Sequence, residues 1–370
     1  MNWISAFIHK YLSSLIISVF LFLLVDFFFG GSLLHYAQSI SDVEKRYRIS
    51  HSIYHHTLAP SYDGLGRWGE NYRVCTNASG FKDRCDRVML LNKTFDIAFI
   101  GDSFTEGIGL SYEDTFVGKI AAAFPDLRIA NLGVGSYSPS VYLAKVRELL
   151  REGYSFKELV VYIDISDIQD EAIYYRFVDQ SLTDLPSLPN DNESLIGRIK
   201  RKCQQLFPLS YQGLFEIRRR LSSDEKSPSL EDKNTFLQQD FERSAWTYNQ
   251  KSLGYGEMGV SKAIEKNIQI MSKLYDLLQK HGIKLSVGVY PWPAQLLYDQ
   301  QQSLHVDIWK NFCKDKCNHF YDSYPSFFAF VKKEGANRAI EKLFINGDIH
   351  HNPLGAALIA NDYIRAQRRR

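Results

Sequence analysis

The stretch LSSLIISVFLFLLVDFFF, Leu12 to Phe29, limits this chain more than any other. It holds one charge, Asp26, and its apolar character continues through Gly30 and Gly31 to Leu34. A bilayer core offers no water to satisfy backbone N–H and C=O groups, so such a run crosses it as a helix bonded to itself. At ~1.5 Å of rise per residue it approaches the roughly 30 Å of hydrocarbon that a span must cover. One transmembrane helix within residues 1–35, kept as an uncleaved anchor, is the expectation. A cleaved signal peptide is the competing reading, but the run exceeds the usual apolar core of about 7–15 residues and no A-x-A-like site follows it. Positive charge hardly orients the span, because Lys10 and the amino terminus precede it while Lys45, Arg46 and Arg48 follow it. Long domains are often translocated regardless of that balance.

The 370 residues, 45% of them hydrophobic, suffice for one large or two modest domains with a sizeable core. Forty-four Lys and Arg against 42 Asp and Glu leave a net charge of +2, which gathers neither nucleic acid nor any other polyanion. Cys75 and Cys85 lie in a polar stretch, and Cys313 and Cys317 bracket CKDKC; these spacings suit two local disulfides, with Cys203 left over. Five reduced thiols in the cytosol is the alternative, and neither pair has the C-x₂-C spacing of a zinc site. Anchor and cysteines together place the main domain outside the cytoplasm, periplasmic or extracellular.

Residues 36–93 read as a polar connecting segment. Its His51, His55 and His56 invite a metal, but no further ligand is spaced to complete a site. From residue 94 the pattern becomes an alternation of strands and helices. Phe95–Ile100, Arg128–Leu132, Leu159–Ile165 and Leu285–Tyr290 are apolar strand candidates, and Phe320–Tyr324 a short edge strand. Tyr112–Phe124, Tyr142–Glu152, Ser261–His281 and a last segment from Pro353 have helical spacing. Such alternation predicts a mainly parallel sheet covered on both faces, a three-layer αβα sandwich. Residues 179–258, with Pro186, Pro189 and SSDEKSPSLEDK, interrupt the rhythm as an insertion within a 94–370 domain.

In an open α/β sheet, ligands bind beyond the carboxyl ends of the strands. The chemistry-bearing residues fall at such ends: Ser103 after the first strand, NLGVGSY (131–137) after the second, DISD (164–167) after the third, and GDIHHN (347–352) before the last helix. Nucleophilic serine catalysis needs a hydroxyl, a base, a group that orients the base, and donors for an oxyanion. Ser103, His350 or His351, and Asp348 supply the first three types.

The block Gly101-Asp102-Ser103-Phe104-Thr105-Glu106-Gly107 departs from the G-x-S-x-G elbow and resembles the first block of the SGNH, or GDSL-like, hydrolase superfamily. The other blocks follow in that family's order across most of residues 95–365. The resemblance implies a flavodoxin-like αβα fold, a Ser103–His350–Asp348 triad with His351 as alternative base, and no cofactor or metal. By the same resemblance, the backbone of Ser136, with Gly135 as runner-up, would serve the oxyanion. Ser166 stands where the family has an asparagine donor, and Asp164 brings a charge where the family has none. Trp292 and Tyr137, with Trp246, are candidates to stack on sugar rings at the mouth. Asn352 reads as the N-cap of the last helix with Pro353 at its first position. Members with one N-terminal span are associated with acylation of cell-envelope polysaccharide beside a membrane-bound O-acyltransferase. The implied function is therefore hydrolysis or transfer of an acetyl ester on a glycan, with a non-catalytic glycan-binding or scaffolding subunit as the alternative.

Overall fold

A computed structural model describes residues 2–41, 43–68, 70–178, 181–184, 202, 206–211, 213–214, 243–249, 252 and 254–369. Cys203 and most of the stretch read as an insertion lie outside them. The chain divides into two compact units, Met1–Lys45 with Pro186–Ser229, and Arg46–Leu185 with Leu230–Arg370.

The first unit contains a helix over Asn2–Ser41. Its Tyr11–Leu33 portion, with a mean hydropathy of 2.5, is long and apolar enough to cross a membrane, a criterion that a signal sequence also meets. Most of the side chains along this portion are exposed, as lipid contact requires, but Asp26 is fully buried. Its carboxylate accepts from the backbone N–H groups of Leu209 (2.9 Å) and Ser210 (2.7 Å) and from the Ser210 hydroxyl (2.6 Å). Four residues on, Gly30 leaves room for the approach, since a Cβ there would sit 3.1 Å from Pro208 Cγ.

The second unit is built on a five-stranded sheet. β1 (Arg48–His51) and β2 (His55–Leu58) form one antiparallel hairpin, and β3 (Asp63–Trp68) and β4 (Glu70–Cys75) another. The sheet itself comprises β5 (Thr94–Ile100), β6 (Ile129–Asn131) and β7 (Ser155–Tyr162), then, past a small hairpin of β8 (Tyr175–Val178) and β9 (Ser181–Asp184), β10 (Lys284–Val289) and β11 (His319–Asp322). Its spatial order is β11-β10-β7-β5-β6 and every pairing is parallel. This is the flavodoxin-like order, whose crevice opens where the first strand lies beside the third, here β5 beside β7.

Side chains alternate across the sheet as the period of two demands. Ala98 and Ile100 of β5 and Leu159 and Val161 of β7 face one core with Val141, Val146, Met271, Leu274 and Trp309. Phe99, Val160 and Tyr162 face the other with Phe116, Ile120, Ile359 and Tyr363. The helices Pro139–Arg151 and Gly259–Lys280 cover the first face, and Phe116–Ala123 and Pro353–Arg368 the second. The unit is thus the expected three-layer αβα sandwich.

Two features differ from the expected organisation. The stretch read as a connector, from Arg46 to residue 93, packs within the same unit as the sheet and contributes Tyr47, Leu58, Tyr72 and Val74 to its core. Within the stretch read as an insertion, Trp246 returns to that unit, fully buried, and its indole donates to the Ile165 carbonyl at 3.0 Å. Cys75–Cys85 and Cys313–Cys317 are both disulfide-bonded.

Candidate active site

Ser103 stands at the first position of a one-turn helix, Ser103–Glu106, directly after β5. Asp102 caps this turn by accepting the Phe104 N–H at 2.9 Å. The turn can be this tight because residue 101 is glycine: a Cβ there would lie 2.1 Å from Thr105 Oγ1 and 2.8 Å from the Tyr162 carbonyl oxygen. Gly107 ends it in the left-handed region, at φ 76°, where a side chain would be strained. Together these constraints lift the Ser103 hydroxyl, half-buried, out of the end of the sheet.

Asp348 and His350 come from the other end of the chain, on the loop that leads into the Pro353–Arg368 helix. The backbone of this loop is crossed by Ile345 N–H to the His350 carbonyl (2.8 Å) and Asn352 N–H to the Leu343 carbonyl (3.0 Å). Asn352 caps the helix by accepting from Leu354 and Gly355 N–H, and it donates to the Lys342 and Phe344 carbonyls. Held so, His350 places Nε2 2.8 Å from Ser103 Oγ and Nδ1 2.5 Å from Asp348 Oδ1. Burial, the largest influence on Asp348, pushes its carboxyl up. The hydrogen bonds and charge of His350 and the indole of Trp68 outweigh it together, holding the group below the usual carboxylate range.

His351, the alternative base, is turned away from Ser103. It is buried among Phe104, Tyr290, Phe327 and Phe344, and burial first, then the neighbouring His350, depress its pKa to about 3. A ring kept neutral inside an aromatic cluster, with Nε2 bonded to nothing among the described residues, has no route to the serine proton.

The loop after β6 is clamped at three points. Gly135 N–H donates to Glu106 Oε2 (2.7 Å), the Gly135 carbonyl accepts from His56 Nε2 (2.7 Å), and the Ser136 carbonyl accepts from Tyr175 OH (2.6 Å). Glu106 is in turn held by both terminal nitrogens of Arg48 at 2.8 Å. The clamps hold Ser136 at φ 63°, a conformation costly for a non-glycine residue and typical of functional loops. Gly135 spends its N–H on Glu106, which removes it as an oxyanion donor. The N–H groups of Ser103 and Ser136 are bonded to nothing among the described residues. His56, which burial depresses to about 4, is a neutral clamp, so two of the clustered histidines serve the loop: His55 Nδ1 lies 2.8 Å from His56 Nδ1.

Behind the serine lies a group of buried carboxyls. Asp164 accepts both the N–H (2.8 Å) and the hydroxyl (2.5 Å) of Ser166, and its other oxygen accepts the indole N–H of Trp292 (2.8 Å). The Ser166 hydroxyl therefore donates to Asp164, which corrects its assignment as an oxyanion donor. Burial first, and the charge of Asp164 second, raise the Asp102 and Asp167 carboxyls well above their ordinary value.

Trp292 and Tyr137 are likewise not at the mouth. Trp292 is 1% exposed against Phe104, and Tyr137 is fully buried with its hydroxyl on the His56 carbonyl. Their apolar mass stabilises the walls of the site and leaves no face for a sugar ring. Trp246 is a core residue for the same reason.

Sequence reasoning missed Trp68. It ends β3 at the turn of the second hairpin, and its indole N–H donates to Asp348 Oδ2 at 2.7 Å. No periodicity marked it, since a single aromatic at a hairpin turn belongs to no pattern.

Beside Ser103 and His350 lies a small apolar cavity of about 10 Å³, walled by Ile108, Leu110, Phe116 and Ala356. The arrangement as a whole provides a hydroxyl bonded to an imidazole, an imidazole bonded to a carboxylate, two unspent backbone donors and an apolar recess. This is the equipment of acyl transfer through serine.

No protein-family profile and no curated protein matches the chain. The chain is similar to solved esterases of the G-D-S-L family. A lipolytic protein of that family from Veillonella parvula is 11% identical, with 74% of this chain and 99% of that one covered and a TM-score of 0.40. An acetylxylan esterase from Geobacillus stearothermophilus is 12% identical over 75% and 95%, at 0.38, and an α/β hydrolase from the metagenome of Lake Arreo is 12% identical over 74% and 94%, at 0.37.

Proposed function

We propose that the chain is a serine-dependent acyl-ester hydrolase or O-acyltransferase of the SGNH type, acting on an acetylated cell-envelope glycan. One observation carries this reading: the chain of hydrogen bonds from Ser103 Oγ through His350 to Asp348, at 2.8 and 2.5 Å. Ser103 attacks the acyl carbonyl as His350 Nε2 takes its proton, while Asp348 holds Nδ1–H and stabilises the imidazolium. The developing oxyanion is met by the N–H groups of Ser103 and Ser136. His350 then gives its proton to the leaving alcohol, and water or a sugar hydroxyl resolves the acyl-enzyme by the reverse path.

The cavity of about 10 Å³ beside the serine supports a short acyl group, because a space of ~10–15 Å³ holds about one water-sized group. A group as small as an acetyl methyl suits such a recess. The glycan, a membrane-bound O-acyltransferase as partner, and a periplasmic or extracellular setting rest on the sequence resemblance.

One observation favours the second reading, a glycan-binding or scaffolding subunit: the bond of Ser166 to Asp164 leaves the oxyanion without a side-chain donor. The test uses the full-length protein in detergent with 4-nitrophenyl acetate and with acetylated glycan, wild type against Ser103→Ala. Ser103-dependent release or transfer of acetate supports the enzyme. Equal rates in the two proteins, together with no labelling of Ser103 by a fluorophosphonate, support the scaffold.

A further inference from the structure

We propose that Trp68 is a positioning residue of this site, its indole N–H fixing the Asp348 carboxylate so that the other oxygen stays on His350; this rests on the catalytic reading above.

Asp348 has two oxygens and two distinct sets of partners. Oδ1 accepts from His350 Nδ1 (2.5 Å) and from the His350 backbone N–H (2.8 Å), whereas Oδ2 accepts from Trp68 Nε1 (2.7 Å). Without the indole, only the two bonds from His350 to one oxygen would hold the carboxylate against turning about its last torsion. An indole suits this task because it is a donor only and does not titrate. A hydroxyl or a water in its place would be able to reverse its role as the imidazole gains and loses its proton.

The ring also shields the pair. It stands edge-on to the His350 imidazole, with centroids 5.3 Å apart and planes at 85°. On its other side, a Cβ at Gly109 would lie 3.7 Å from Trp68 Cδ1. The indole thus sits between the turn after Ser103 and the loop bearing Asp348, whose side chain is 14% exposed. Phe104 covers the imidazole from another side, so the Asp–His bond is kept from water on two faces.

The rest of the 46–93 stretch supports the placement. Arg48 grips Glu106, and Lys82 Nζ donates to the Gly107 (2.8 Å) and Leu110 (2.6 Å) carbonyls. The Cys75–Cys85 disulfide ties the end of β4 away from Trp68 to the segment that follows the hairpin. Three contacts from this stretch therefore bear on the turn of the nucleophile or on Asp348.

Removing the indole donor concentrates negative charge on Asp348, which then holds the imidazolium more tightly. In Trp68→Phe, which keeps a ring and loses the N–H, kcat is expected to fall about 5–20-fold with KM unchanged, and the acid limb of kcat/KM to move to higher pH, for the loss of one hydrogen bond to a charged group. An unchanged limb and kcat, or a change confined to KM, overturns the proposal and makes Trp68 a packing residue. A second measurement does not need turnover. The chain has five tryptophans, so full-length protein labelled with ¹⁵N-tryptophan gives five indole signals, of which Trp68 is the one missing in Trp68→Phe. That signal should shift in Asp348→Asn and move with pH in the wild type. A signal indifferent to both overturns the hydrogen bond whether or not the protein is an enzyme. A wild type without Ser103-dependent turnover but with the expected indole shifts overturns the catalytic reading instead.

Discussion

His350 and His351 are neighbours with opposite surroundings, and the difference is testable. His350→Ala removes the imidazole bonded to Ser103 and is expected to lower kcat roughly 10³-fold or more. His351→Phe, which fills the same aromatic cluster, is expected to leave kcat within about threefold; the reverse pattern in ester hydrolysis would exchange their roles. Ser166 is judged by the same logic. Its proton is spent on Asp164 at 2.5 Å, so Ser166→Ala should cost far less than the roughly 10²–10³-fold loss of a true oxyanion donor. The buried histidines also set an acid limit on stability. His56, at about 4, and His351, at about 3, are depressed by burial below the ordinary value near 6.5. Folding therefore excludes a proton that the unfolded chain binds; the associated stability is fully present above pH 6.5 and is lost as pH falls through about 4. For His56 the full shift corresponds to about 3 kcal/mol. A melting temperature that falls steadily from pH 6.5 to 4, less steeply in His56→Asn, is the expected result.

Among the elements, the parallel strands were legible because each is an apolar run bounded by polar turns, and the four helices that cover the sheet because their apolar residues recur at the helical period; the helices Leu304–Lys316, Tyr324–Glu334 and Ala336–Leu343 were not read. The strand boundary displaced furthest has a physical reason. LVVYIDI suggested a strand over 159–165, whereas β7 spans Ser155–Tyr162. Its first residues carry Lys157 and an ion pair with Asp96, as befits a strand entering from solvent. Ile163 and Ile165, on either side of Asp164, are apolar because they turn into the core behind the serine. The hairpins of residues 48–75 were not legible. Their strands have four to six residues each, too few to establish a period, and what fixes them is contact with Glu106, Gly135 and Asp348 far along the chain. The Cys75–Cys85 bond matters at this scale. Removing it as the double Ser variant frees a short loop and is expected to cost about 2–3 kcal/mol. It should also lower ester turnover, since the hairpin that brings Trp68 to Asp348 then frays. The Cys313–Cys317 pair closes a shorter loop between a helix and an edge strand, so its double variant should leave turnover unchanged. Equal turnover losses in the two double variants would sever the link between the hairpin and the site.

For the molecule as a whole, the sequence revealed an apolar helix long enough to cross a membrane and a sandwich, but not that Asp26 within that helix has partners. An ionised side chain at mid-helix costs about 2.5–3.5 kcal/mol to insert, which a chain avoids by removing the residue or by satisfying it. Here it is satisfied by Leu209 and Ser210, with Phe207 packed on Phe27 at 5.9 Å between ring centroids. The two partners lie 183 and 184 residues away in sequence, and no local pattern connects them to the span. Asp26→Ala leaves the two backbone N–H groups without their acceptor, while the span loses its one charge and becomes a better membrane helix. The variant should therefore remain in the membrane pellet after alkaline carbonate extraction, like the wild type, while peptides covering residues 206–214 exchange amide hydrogens at least about tenfold faster. Asp26→Asn keeps a carbonyl acceptor and should fall between the two. Unchanged exchange in Asp26→Ala would show that the carboxylate does not hold this segment. A wild-type protein released by carbonate, with an amino terminus beyond residue 35, would show that the apolar helix is a signal sequence removed from the mature chain. Asp26 and its partners would then never meet outside the precursor.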